Sequence, residues 1–168
     1  MKRFTFCLAF FGAILFFSNS LNAQDYKSAI GVRLGVPLSV SYKQFISDQG
    51  AFEVTGGYRL VTTDYSFLTI AASYQHHNAI NSVSGLKWYY GAGASLNFWS
   101  YPDYYKTLGV NASTTTIGIF GLIGLDYKFA DYPINLSLDW APTYYIGSGY
   151  VRGFYGGYGA LSVRYTLN

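Results

Sequence analysis

The stretch Trp88–Trp99, WYYGAGASLNFW, admits two incompatible readings. Its Gly91-Ala92-Gly93 core looks like part of a glycine-rich phosphate loop, yet a phosphate loop has no use for the aromatics packed at both ends. Read with a period of two, Trp88 and Tyr90 share a face with Ala92, Ala94, Leu96 and Phe98, while Gly91 and Gly93 face the other way. Trp88 to Phe98 covers about 33 Å along a strand, or roughly 25 Å of height at a typical barrel tilt. That is the height of the lipid-facing band of a transmembrane barrel, with an aromatic girdle at each edge and glycines in a narrow lumen. FYGGYGALSVRY, Phe154–Tyr165, repeats the composition. Neither stretch opens a helix, as a nucleotide loop must.

Composition points the same way. Charged residues make up 11% of the 168-residue chain and aromatics 20%, with 18 tyrosines. A soluble domain carries about 25% charged residues, and this chain cannot build such an exterior. Of the 11 Lys and Arg, Lys2 and Arg3 lie at the extreme N-terminus; the other nine nearly balance the eight Asp and Glu. That balance argues against nucleic acid as a partner. Downstream of the first residues no segment approaches the roughly 20 apolar residues of a membrane helix. An exported, aromatic-rich chain of low charge without such a helix implies an outer-membrane β-barrel.

Export is read from the start of the chain. Basic Met1-Lys2-Arg3, apolar Phe4–Phe17 and polar Ser18–Ala23 form the three-part layout of a signal peptide. Residues 1–23 are expected to be a leader cleaved after Ser20 or Ala23, and 24–168 the barrel domain. A retained anchor is the alternative, although the apolar run is shorter than the roughly 20 residues of a spanning helix. Cys7, the one cysteine, leaves with the leader, so no thiol or disulfide chemistry is expected.

Alternation yields eight strands: Ala29–Val36, Leu38–Ile46, Phe52–Leu60, Phe67–His76, the opening stretch, Thr116–Phe129, Ile134–Trp140, and a last strand ending at Leu167. The expected fold is all-β, an eight-stranded antiparallel up-and-down transmembrane barrel. With the N-terminus in the periplasm, Ser47–Gly50, Asn78–Gly85 and Ala130–Pro133 are inner turns. The Pro37 hairpin, 61–65, Ser100–Thr115 and 147–153 face outward, the first being short for an outer loop. A water-soluble barrel with its apolar face inward is the alternative. Against it, the residues opposite the apolar set are Gly, Ser, Thr, Asn and Ala, with one or two charges per strand.

Parity then assigns Arg33, Lys43, Glu53, Arg59, Lys87, Asp126, Lys128, Asp139 and Arg164 to the lumen. Counted from the inner turns, Glu53, Lys87, Lys128 and Arg164 lie low, Arg33, Lys43, Asp126 and Asp139 nearer mid-height, and Arg59 higher. Mixed signs at matching depth suggest a salt-bridged plug, because a buried unpaired charge is costly. A selectivity ring for a solute is the alternative, but eight strands leave room only for side chains. The girdle is expected at Trp88, Tyr90, Phe98, Trp140 and Tyr165.

Candidate chemistry is sparse. His76 and His77 face opposite ways on one strand, with no acidic or Cys partner nearby, so neither a metal nor any other cofactor is expected. They fall at the inner end of their strand, away from the outer leaflet where a lipid A-modifying enzyme would work, and no other histidine exists to act as a base. The loop residues Tyr101, Asp103, Tyr104, Tyr105 and Lys106 could form an adhesive or ligand-binding surface, or anchor the barrel at headgroup level.

The segments SVSYKQF (39–45), LKWYYGAGASLNFW (86–99), YKFADYPINLSLDWAP (127–142) and GALSVRYTLN (159–168) resemble those of small outer-membrane β-barrels of the Bacteroidota. More broadly the chain is similar to OmpX- and OmpA-type barrels. The resemblance implies a structural, adhesive or defensive role without catalysis, in a monomer. Its partners would be outer-membrane lipid and lipopolysaccharide, the barrel-assembly machinery and an extracellular ligand. Barrels of this kind often end in an aromatic residue; here Tyr165 is the nearest.

Overall fold

The computed structural model describes residues 26–59, 66–100, 113–147 and 152–167. Ten strand segments follow in chain order. They are β1 (Ser28–Gly35), β2 (Leu38–Phe45), β3 (Gly50–Arg59), β4 (Ser66–Ala79), β5 (Leu86–Ser100), β6 (Ser113–Lys128), β7 (Ile134–Trp140), β8 (Thr143–Gly147), β9 (Gly153–Tyr155) and β10 (Gly159–Leu167). Neighbours pair antiparallel from β1 through β6. β7 pairs with one half of β6 and β8 with the other, so β7 and β8 are two halves of one stave. β9 and β10 likewise make an eighth stave, and β10 against β1 closes the ring. The fold is a closed, eight-staved, antiparallel up-and-down barrel of the transmembrane kind.

The breaks in the last two staves have local causes. Pro142, which has no N–H for the ladder, lies between β7 and β8. There the Ala141 N–H reaches the Tyr158 carbonyl at 2.9 Å, and the Gly121 N–H takes the Pro142 carbonyl at 3.2 Å. The Trp140 indole donates to the Gly156 carbonyl at 2.6 Å, tying the two breaks together.

Three tight turns mark one end, the turn end. At the first, the Gly50 N–H donates to the Ser47 hydroxyl at 2.9 Å and the Ile46 N–H to the Gly50 carbonyl at 2.9 Å. Gly85, in the second, has φ of +79°, and a Cβ there would lie 2.3 Å from the Lys128 carbonyl oxygen. Only glycine lets this turn lie against the neighbouring stave.

Side chains are inverted relative to a water-soluble protein. Ile30, Val32, Leu34, Val40, Ile70, Leu96, Ile119 and Leu161 stand exposed, whereas Ser41, Lys43, Glu53, Gln75, Asn97, Asp126 and Arg164 are buried. Such an apolar exterior and polar interior is what hydrocarbon outside and a crowded lumen inside require. No helix among the described residues is long and apolar enough to cross a membrane.

The glycines of the opening stretch make room. A Cβ on Gly93 would lie 2.4 Å from the Phe120 ring, which points inward, and one on Gly124 would lie 2.7 Å from the Tyr89 ring. Gly121 faces outward into open space.

The wall is not of even height. β1 and β2 have 8 residues each, against 14, 15 and 16 in β4, β5 and β6. At about 3.3 Å per residue and a tilt near 40°, that is roughly 20 Å of height against roughly 40 Å. β1 and β2 meet at Val36–Pro37, so the barrel is low on this side.

Candidate functional site

Three cations and three carboxylates fill the lumen as one connected chain. Nearest the turn end, Lys43 Nζ sits 2.8 Å from Asp126 Oδ2. Asp126 Oδ1 accepts from Asn135 Nδ2 at 2.6 Å, and Asn135 Oδ1 takes Arg164 Nη1 at 3.4 Å. Arg164 also donates to Ser137 and Ser41 at 2.6 and 2.9 Å, and pairs with Glu53 through Nη2. Glu53 Oε2 accepts from Gln75 at 2.6 Å and meets Arg33 at 3.4 Å, and Arg33 reaches Asp139 at 2.8 Å. The Tyr89 hydroxyl completes the chain on Asp139 Oδ2 at 2.9 Å. Every carboxylate thus meets a cation as well as hydrogen-bond donors, the condition under which buried charge is tolerated.

The count along each strand separated Glu53 and Arg164 from Arg33, Lys43, Asp126 and Asp139 by depth. That division is corrected: Glu53 bridges Arg164 and Arg33, and Asn135 links Arg164 to Asp126. Stagger between staves in a sheared barrel brings together residues whose counts from a turn differ. Lys128 lies outside the chain of carboxylates. Its Nζ donates to the carbonyls of Phe129 and Tyr132, the latter at 2.8 Å, and so fastens the last turn. Lys87 is half-buried with its Nζ 5.7 Å from the Phe45 ring, and Arg59 is half-buried at the loop end of β3.

Both ends of the lumen are closed by rings. At the turn end Tyr26 packs edge-on against Phe45 at 5.1 Å, beside Ala29 and Ala51. Its hydroxyl reaches Asp126 at 3.4 Å. Burial, reinforced by Asp126, holds that hydroxyl well above its ordinary pKa, so it stays a donor. His77 stacks on Tyr89 at 4.9 Å, and Lys43 stands 4.8 Å from the same ring. At the loop end Phe67, Trp99 and Tyr145 cluster with Tyr158, Phe67 and Trp99 being 4.5 Å apart. The Trp99 indole donates to Thr116 Oγ1 at 2.8 Å.

Parity left Tyr26, Gln75, Tyr89 and Asn135 without a role. Tyr89 was legible in principle, being the inward ring between two outward ones. The expectation that His77 lacks an acidic neighbour is corrected, since Asp126 lies 3.9 Å from its Nε2. Both ring nitrogens of His77 lack a hydrogen-bond partner, and His76 faces outward beside Tyr90 at 5.4 Å. No group of three potential metal ligands exists among the described residues.

Trp88, Tyr90, Phe98, Trp140 and Tyr165 all stand on the exterior. Trp88 and Tyr90 stack at 5.5 Å towards the turn end, where Tyr165 also lies opposite Ile134. Trp140 stands halfway along the seventh stave, at the end of β7, away from either edge. Tyr101, Asp103, Tyr104, Tyr105 and Lys106 lie outside the described residues, as do residues 1–23 of the expected leader.

No protein-family model matches the chain, and no curated protein matches it. Among solved structures it is similar to Neisserial surface protein A (NspA), with 23% identity and a TM-score of 0.60 over 83% of this chain and 93% of that one. The likeness is one of fold.

Proposed function

We propose that the chain is a non-enzymatic integral outer-membrane barrel, exported by the leader at residues 1–23. In this reading it contributes to envelope structure or presents its long loops to an external ligand. The observation that carries it is the inversion of faces: apolar side chains ring the outside while three cations and three carboxylates neutralise one another inside. A wall of that kind seeks hydrocarbon, and a lumen so filled offers no continuous water path. The fold shared with NspA, a surface protein by its name, supports the location. His77 packs among Phe45, Tyr89 and Asp126 at the turn end, a setting that supports a packing role over that of a base at the outer leaflet.

The test is heat-modifiable gel migration of membrane-extracted protein, with planar-bilayer recording of the purified barrel. Migration that shifts on boiling, with no steady conductance, is expected. Solubility without detergent would overturn the membrane reading. A persistent open channel would overturn the closed lumen and favour a narrow pore. Lipid A that changes on expression of the barrel, but not of a His76→Ala/His77→Ala variant, would overturn the non-enzymatic reading.

A further inference from the structure

Between the charge network and the ring cluster at the loop end lies a cavity of about 110 Å³. One water needs about 10–15 Å³ by that measure, so the space holds several waters or one small solute. Its floor is Arg33 and Asp139, its walls carry Ser39, Thr55, Thr69 and Asn97, and its roof includes Phe67 and Tyr145. The cavity reaches the exterior side at Val36 and Pro37, the crest of the low β1–β2 wall. Above that crest β9 has β8 as its one paired neighbour among the described residues.

We infer that this cavity is a binding site for one neutral, polyhydroxylated ring, a single sugar unit. Charge narrows the class: the network beneath it pairs three cations with three carboxylates, so neither Arg33 nor Asp139 of the floor is left without a counter-ion for an ionic ligand to supply. Ser39 and Thr69 spend their hydroxyl protons on the Pro37 carbonyl and on Asn97 Oδ1, at 3.0 and 2.7 Å, which leaves hydroxyl lone pairs to accept from a ligand's O–H groups beneath an aromatic roof suited to its C–H surface. Phosphate would find one guanidinium already committed to Glu53 and Asp139. An acyl chain would strand the hydroxyls and the Arg33–Asp139 floor against hydrocarbon. The ring can arrive free from outside or as the headgroup of a glycolipid. β1 and β2 rise only about 20 Å, less than the roughly 25 Å apolar band, which sets their crest just inside the edge of that band, within reach of a lipid whose headgroup tips inward over it. The glycolipid route rests on the membrane reading above; the free-sugar route does not.

The test is amide NMR of the full barrel in phosphatidylcholine nanodiscs. One arm titrates methyl glucoside, and the other uses nanodiscs containing a monohexosyl diacylglycerol. Saturable shifts clustered at Ser39, Thr55, Thr69 and Asn97 are expected in at least one arm. Response to the free glycoside identifies a soluble sugar, and response to the glycolipid alone identifies the leaflet. Ala71→Leu and, from the opposite wall, Ala160→Leu fill the cavity. Whichever of them keeps its heat-modifiable fold should weaken binding at least tenfold. Shifts absent from both arms, confined to other surfaces, or unchanged by the filling variants would overturn the assignment. Loss of the barrel from nanodiscs would instead count against the membrane reading.

Discussion

Arg164 on the last stave and Glu53 on the third, 111 positions apart, meet across the lumen with both side chains buried. Neither residue finds its partner along its own strand or on a neighbouring one, so the contact exists only when the ring is closed. It joins the Arg33–Asp139 pair on one side to the Asn135–Asp126–Lys43 relay on the other.

Removing one partner should therefore cost more than removing two. Arg164→Met leaves Glu53 with Arg33 and Gln75 alone, and about 3 kcal/mol of destabilisation is expected. Adding Glu53→Gln should return most of it. Urea unfolding in lipid vesicles measures both, and a double variant no better than the single would contradict a paired lumen.

Glycines on the two faces should respond oppositely to a methyl group. A Cβ at Gly124 lies 2.6 Å from the Leu138 carbonyl and 2.7 Å from the Tyr89 ring, so Gly124→Ala should cost about 1–3 kcal/mol. At Gly121 the nearest such atom is 4.0 Å away, and Gly121→Ala should be neutral or stabilising by up to about 1 kcal/mol. Unfolding midpoints of the two variants test the contrast; equal losses would sink it.

The exterior should reject charge. Leu138 is 59% exposed near the middle of its stave, so Leu138→Arg should destabilise the lipid-embedded barrel by about 2–4 kcal/mol. A variant as stable as the parent would mean that this face meets water.

The three tryptophans should divide by face. Trp88 and Trp140 are exposed outward, while Trp99 is buried under Phe67 and bonded to Thr116. In single-tryptophan variants, lipids brominated on their acyl chains should quench Trp88 and Trp140 strongly and Trp99 little. Strong quenching of Trp99 would show that the ring cluster is not lumenal.

Sequence alone determined which face each residue of a strand takes. The period of two is a property of the extended backbone and needs no partner. From it came the outward set around Leu96 and Ile119, the inward glycines of WYYGAGASLNFW, and an inward position for Lys43, Glu53, Asp126, Asp139 and Arg164. Tertiary structure alone decided which inward groups meet. Stagger accumulates from stave to stave, so depth is set by the whole ring rather than by distance from a turn. That is why Glu53 bridges Arg33 and Arg164, why Asp126 stands beside His77, and why Lys128 turns to backbone carbonyls instead. Tyr26 and the upper cavity lie further still from view. One depends on how the segment before β1 enters the lumen, the other on unequal stave heights, and both follow from closing the ring rather than from any local pattern.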